Sequence, residues 1–256
     1  MIMLFPVVGL GQPIRFVQEA ISQVRRYQST YYSSGSSLAA DSGSLMLERL
    51  YDFFLDSLPR IPESLTMAVP SNRIGEPVHI VSSSDHKVRF WAWDSELGGE
   101  APNMFEVVEF SGASGIRTYT EPLDSDEAIA AMQFDHWCDT LFSATSKEGI
   151  TYYLPLERWV ADRQNAGENL SAFTIEGDSL NFNHALFQTR TSLLKSIDFH
   201  YPEEVQSWEY EHEHTITIKD EGKVLLIPLV SSKGKMTSQH LRYDFDGEHY
   251  IYKGIE

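Results

Sequence analysis

Residues 81–100 read VSSSDHKVRFWAWDSELGGE, and this stretch decides the fold. A Ser/Asp-rich turn feeds a run in which Val88, Phe90 and Ala92 fall on one side and Arg89, Trp91 and Trp93 on the other. Alternation with period two, closed by Asp94 and then by Gly98-Gly99, is the pattern of a β-strand between turns. The glycine pair lacks the strand-to-helix setting of a phosphate loop and reads as turn chemistry.

Downstream of this strand the alternation continues. Strands are expected at 78–82, 87–93, 105–110, 116–120, 134–144, 151–156, 171–175, 185–199, 214–219, 223–229, 240–245 and 248–253. Lys219-Asp220-Glu221-Gly222 and Asp246-Gly247 carry hairpin-turn chemistry, so TITIKDEGKVLLIPL and LRYDFDGEHYIY are expected to form successive antiparallel hairpins. Four units share a polar turn followed by a strand: SSDHKVRFW, SKEGITYYL, IKDEGKVLLI and FDGEHYIY. Their uneven spacing suits a meander better than the regular repeat of a propeller.

Upstream, the period changes. Phe16, Val17, Ala20, Ile21 and Val24 recur at helical spacing, with Arg25 and Arg26 at the end that favours cations. After a Ser/Gly-rich break at 33–44, Leu45, Leu47, Leu50, Tyr51, Phe54 and Leu58 form a second apolar stripe, stopped by Pro59 and Pro62. The expected fold class is α+β: a helical segment at 12–62 packed on a mainly antiparallel, hairpin-rich β body at 66–256. A propeller-like or sandwich-like body is the alternative.

The chain has 256 residues, 42% of them hydrophobic, which is enough to bury a core. Its 20 Lys+Arg against 37 Asp+Glu give a formal charge of −17. Such a surface repels phosphate backbones and anionic lipid, and it suits either plain solubility or a cationic partner. Cys138 is the only cysteine, set among apolar neighbours, and reads as a buried inert thiol. Residues 1–11, within MIMLFPVVGLGQ, combine an apolar run with Gly9 and Gly11 at the −3/−1 spacing of a signal-peptidase site. The basic flank of a signal is missing, so a signal-peptide remnant and a buried N-terminal strand are both open; periplasmic or secreted localisation is the first expectation, cytoplasmic the second. No stretch reaches the ~18 apolar residues of a membrane helix, so no stable insertion is expected.

Two places carry chemistry. In WEYEHEH, His212 and His214 share a strand face, an H-x-H arrangement that zinc sites on sheets use. Further ligands would come from among His200, His240, His249, Glu211 and Asp220, and no spacing singles one out. Solvated surface is the competing reading of that segment. The second place is the Arg89, Trp91, Trp93 face with Asp94: aromatics stack on sugars or on partner side chains, and arginine binds carboxylates. Against this, tryptophans on one strand face also serve to pack beneath the N-terminal helices.

Other signatures are missing. The acidic run EPLDSDE at 121–127 has no glycine-enforced calcium turn. SGASG at 111–115 is not a G-x-S-x-G elbow, and neither H-E-x-x-H nor a P-loop occurs.

The stretch SSSDHKVRFWAWDSELGG resembles a motif of exported bacterial proteins of Bacteroides type. There a Ser-Pro-Asp-Gly-Lys turn precedes a strand ending in Ser-Trp-Asp, followed by Thr-Gly-Gly. Ser84, Asp85, Lys87, Arg89, Trp93, Asp94, Gly98 and Gly99 align with that pattern, with Ser84 in place of its proline and His86 in place of its glycine. Tyr152-Tyr153-Leu154, Ala172-Phe173-Thr174-Ile175 and Tyr243-Asp244-Phe245-Asp246-Gly247 follow in a similar order. The resemblance implies export and a β-rich body, and carries no activity.

The functional expectation is a non-catalytic exported protein that binds another protein or a cell-envelope component, for instance as an inhibitor or immunity protein against a cationic enzyme. No cofactor and no nucleic acid are expected. A metal-dependent hydrolase built on His212 and His214, with zinc as the candidate metal, and a carbohydrate-binding protein using Trp91 and Trp93, are the alternatives.

Overall fold

The computed structural model describes residues 50, 52–67, 78–94, 104–120, 136–162, 165–201 and 216–256, with Arg15, Glu19, Ser22, Gln23, Arg26 and Thr30. The apolar N-terminal run, Gly98-Gly99, the acidic run 121–127 and the His212/His214 segment lie outside the described residues. The protein is β-rich and its sheets are mainly antiparallel. The chain divides into two compact units, Met1–Ser82 with His86–Phe134, and Ser83–Asp85 with Asp135–Glu256.

In the first unit, β1 (His79–Ser82), β2 (Val88–Asp94), β3 (Met104–Gly112) and β4 (Gly115–Tyr119) form a four-stranded meander in sequence order. The strand that opened the reading is β2, and it pairs with both β1 and β3. Every residue from Val88 to Trp93 is buried, so the alternation separates two buried faces rather than a wet one from a dry one. Phe54, in a π-helical turn at Phe53–Ser57, covers the tryptophan face. It stacks on Trp93 at 5.3 Å between ring centroids and meets Trp91 edge-on at 5.6 Å. Trp93 in turn stacks on Phe105 at 5.6 Å, and such aromatic pairs are each worth about 0.5–1.5 kcal/mol beyond their burial. Short 3₁₀ turns at Leu58–Arg60 and Ser64–Thr66 follow, the first carrying Pro59 at its start, where a missing N–H is harmless.

In the second unit, β5 (His136–Thr145), β6 (Thr151–Asp162), β7 (Asn165–Leu170) and β12 (Ile197–His200) make a four-stranded sheet in the order β12-β7-β6-β5. A six-stranded sheet contains β10 (Phe187–Gln188), β11 (Leu193–Leu194), β13 (Thr217–Lys219), β14 (Val224–Val230), β15 (Met236–Phe245) and β16 (Tyr250–Ile255), ordered β11-β10-β16-β15-β14-β13. A two-stranded ribbon, β8 (Thr174–Glu176) with β9 (Ser179–Asn181), completes it. β13 to β16 are the two successive hairpins expected from the turn chemistry. Asp220, Glu221 and Gly222 turn with positive φ, and Asp246 Oδ1 accepts the amides of Glu248 and His249, both at 2.8 Å. Gly222 is required twice: its φ is +87°, and an added Cβ would lie 2.2 Å from the Ser143 carbonyl oxygen.

All four turn-plus-strand units are hairpin connections, joining β1–β2, β5–β6, β13–β14 and β15–β16. The repeated blade of a propeller is absent among the described residues, whose sheets have four, six, four and two strands. The first meander groups with the turns at 53–66, because it pairs only within itself and buries its tryptophans under Phe54.

Two elements differ from expectation for local reasons. β7 (NAGENL) lacks strand-forming residues and is held by ladders on both sides. The expected strand at 185–199 is three short pieces, because the Thr189 side chain and Ser192 close a turn between β10 and β11. Prolines interrupt neither long strand: Pro155 sits where the β6–β7 ladder ends, and Pro228 borders a bulge in β14.

Candidate functional site

Arg89, Trp91 and Trp93 all lie in the interior of the first unit, at 1%, 0% and 4% exposure. They are therefore not offered to a sugar or a partner, and their burial agrees with the packing reading of the two tryptophans. The physical reason is the chain at 64–67. Three backbone carbonyls there need donors, and Arg89 supplies them, to Ser64 (2.5 Å), Leu65 (3.1 Å) and Met67 (2.7 Å), while its Nε donates to Ser82 Oγ at 2.8 Å. Burial lowers the Arg89 guanidinium pKa, and the Glu109 charge acts in the opposite direction. The Trp91 indole N–H donates to Glu109 Oε2 at 3.0 Å. Burial raises the Glu109 carboxyl above its ordinary value; the Ser64 side chain, Trp91 and Arg89 each oppose that rise. Asp94, at the end of β2 opposite Met104, is half-buried. This is a fastening cluster that ties β2 and β3 to the chain at 64–67.

The H-x-H pair, His212 and His214, lies outside the described residues. Among the described residues no group of three or more His, Cys, Asp or Glu side chains is placed to hold a metal ion, so His200, His240, His249 and Asp220 are not gathered around a common centre. SGASG forms the β3–β4 hairpin turn. Cys138 is buried at the bulge in β5, its thiol directed at the Thr140 carbonyl at 3.5 Å.

The open surface is elsewhere, on the sheet β12-β7-β6-β5. Register brings His136, Trp159, Gly167 and His200 into one row across the four strands, and Glu157, Asn169 and Asp198 into the row beside it. Residues directly opposite in a ladder point to the same face. On that face His200 and Asp198 are exposed, and His136, Glu157, Trp159 and Asn169 are half-exposed. The reverse face carries Ile197, Phe199, Leu170 and Leu156, all buried.

Trp159 is set into the sheet rather than standing on it. Gly167 makes that possible: a Cβ there would come within 2.6 Å of the indole and 2.3 Å of the Phe199 carbonyl oxygen. His200 meets the indole in an edge-on contact at 4.9 Å. Asn169 Nδ2 donates to Asp198 Oδ1 at 2.6 Å, which holds that carboxylate in place on the outer strand.

Beneath this face, Glu168 is buried at 1% exposure and fully engaged. Oε1 accepts the Tyr201 hydroxyl and Oε2 the Ile216 amide, each at 2.9 Å. Burial pushes the Tyr201 phenol upward and the Glu168 charge adds to this, so it stays neutral and donates. An Arg158–Asp139 ion pair at 3.3 Å lies on the same reverse side. These groups pin β7, β12 and the start of the following segment, and so give the open face a rigid base.

The alternation of two of the strands that bear this face was present in the sequence. In LERWVAD the residues Leu156, Arg158 and Val160 alternate with Glu157 and Trp159, and in IDFHY the apolar Ile197, Phe199 and Tyr201 alternate with Asp198 and His200. Which of these strands lie side by side follows from register alone. The described residues include no helix long and apolar enough to cross a membrane. Compared with protein-family models, with curated proteins and with solved structures, the chain matches none.

Proposed function

We propose that this chain is a non-catalytic binding protein for a cationic partner, a protein or a cell-envelope component, and that it acts after export. The observation that carries the reading is the open face of the β12-β7-β6-β5 sheet. Its described residues include the exposed Asp198 and no lysine or arginine, in a chain of formal charge −17. Electrostatic complementarity of this kind speeds encounter and selects partners more than it adds affinity. An inhibitor or immunity protein against a basic enzyme is the concrete form of this role. The apolar run with Gly9 and Gly11 supports export.

The same proposal includes an α+β architecture, in which the segment at 12–62 is a helical layer of the first unit. Helical Arg15 and Glu19, ion-paired at 2.7 Å one turn apart, and Phe54 stacked on Trp93 support it.

Affinity capture with the tagged chain from envelope and secreted fractions, across a salt series, tests the binding role. A basic protein retained at low salt and released at high salt is expected; no retained partner at any salt concentration overturns the role. Elemental analysis separates it from a zinc hydrolase built on His212 and His214, which requires stoichiometric metal.

A further inference from the structure

We propose that Trp159 is the anchor of a docking surface for a basic protein segment, which lays an arginine or lysine side chain on the indole with Asp198 as its counter-charge. The inference rests on the cationic-partner reading and names the place and the contact.

Several observations converge on this face. The indole is backed by the Gly167 main chain, where no side chain fits, so the ring lies low against the sheet. His200, itself exposed, meets its edge at 4.9 Å, and the ring is half-exposed. A flat, immobilised tryptophan is the strongest of the aromatic partners for a cation, because the ring face is the negative part of its quadrupole. Asp198, pinned by Asn169 at 2.6 Å, supplies a formal negative charge two residues from His200 on the outer strand β12, which β7 separates from the Trp159 strand. A neutral sugar would use the ring equally well but would draw nothing from the Asp198 carboxylate as a charge. A phosphate-bearing or acidic ligand would be repelled.

The base of the face is also built to hold its shape. Glu168, directly below on β7, ties Tyr201 after β12 and Ile216 before β13, so the strands bearing Asn169 and Asp198 are held together by a buried network. A preorganised surface of this kind loses little freedom when a partner docks.

Calorimetric titration with hexa-arginine amide at 0.15 M salt tests the proposal, on wild type and on Trp159→Ala, Trp159→Phe, Asp198→Asn and the distant surface control Glu148→Gln. Cation–ring contacts of ordinary strength translate into about a 5- to 30-fold loss for Trp159→Ala. Trp159→Phe should keep most of the affinity, Asp198→Asn should lose several-fold, and Glu148→Gln should match wild type.

Wild-type affinity in Trp159→Ala overturns the docking site while leaving the cationic-partner reading intact. If Trp159→Ala does not fold, Trp159→Phe and Asp198→Asn decide, and an Asp198→Asn variant no weaker than Glu148→Gln overturns the site. No binding of hexa-arginine by the folded wild type overturns both. Cellohexaose binding that depends on Trp159, in the absence of hexa-arginine binding, replaces the proposed occupant with a glycan.

Discussion

Arg89 and Glu109 stand directly opposite each other on β2 and β3, both buried, and each spends its hydrogen bonds on a different partner. The guanidinium serves the carbonyls at 64–67 and the carboxylate serves the Trp91 indole, so their mutual attraction acts across the ladder without a direct bond. Removing one partner strands the other. Arg89→Met is expected to destabilise the protein by about 3–5 kcal/mol, and Arg89→Lys to restore only part of that, because an ammonium cannot reach several carbonyls in one plane. Urea unfolding followed by tryptophan fluorescence measures both; an Arg89→Met variant within 1 kcal/mol of wild type would refute the fastening role.

Glu109 sets a pH dependence whose sign is fixed by its environment. Burial raises its folded-state value above the ordinary 4.5, so between the two values the native state holds more protons than the unfolded state. Its contribution is then full below the unfolded value and declines as pH rises through the folded one. Relative to Glu109→Gln, which does not titrate, wild type should lose stability as pH is raised from about 4.5 towards neutrality. Urea midpoints at a series of pH values test this, and parallel curves for the two proteins would refute it.

Glu168 makes the opposite kind of buried carboxylate, with both oxygens engaged. Tyr201→Phe deletes one donor and is expected to cost about 1–2 kcal/mol; Glu168→Ala leaves two buried donors without an acceptor and is expected to cost at least twice as much. A double-mutant cycle between the two positions should show coupling above 0.5 kcal/mol, which independent sites would not.

Three glycine-to-alanine changes separate space from backbone strain. Gly177→Ala has open surroundings and a φ of +63°, so only the left-handed backbone opposes it, at about 1 kcal/mol. Gly167→Ala meets both the Phe199 carbonyl and the Trp159 indole, and Gly222→Ala meets the Ser143 carbonyl while also requiring positive φ. Both should lower the melting temperature well beyond Gly177→Ala, and Gly167→Ala should in addition alter Trp159 fluorescence. Equal losses at all three positions would contradict the close approaches.

What the sequence shows of this molecule follows how local each signal is. The Lys219–Gly222 and Asp246-Gly247 turns act within four residues, and the hairpins they define are present as read. The two tryptophans of β2 carried two meanings in the sequence, and only the placement of Phe54 and of the carbonyls at 64–67 separates them. β7 was illegible because Asn, Gly and Glu are poor strand formers, and its stability comes from the neighbours on either side. The Trp159 face was half legible: alternation marks each strand, but the row from His136 to His200 joins residues 64 positions apart through pairing that no local pattern encodes.

The six-stranded sheet mixes two kinds of pairing, and the order in which they can form is written into that mixture. β13 through β16 join neighbours in sequence through tight turns, whereas β10 must return over some sixty residues to lie parallel to β16. Closing short loops is fast and closing long ones is slow, so the meander is expected to be the early-forming template on which Phe187 docks against Tyr250. Pulse-labelled hydrogen exchange during refolding should find the amides of β14 and β15 protected before that of Tyr250, which donates to Leu186 ahead of β10. The late docking of that single short strand would make this corner of the sheet its kinetic latch.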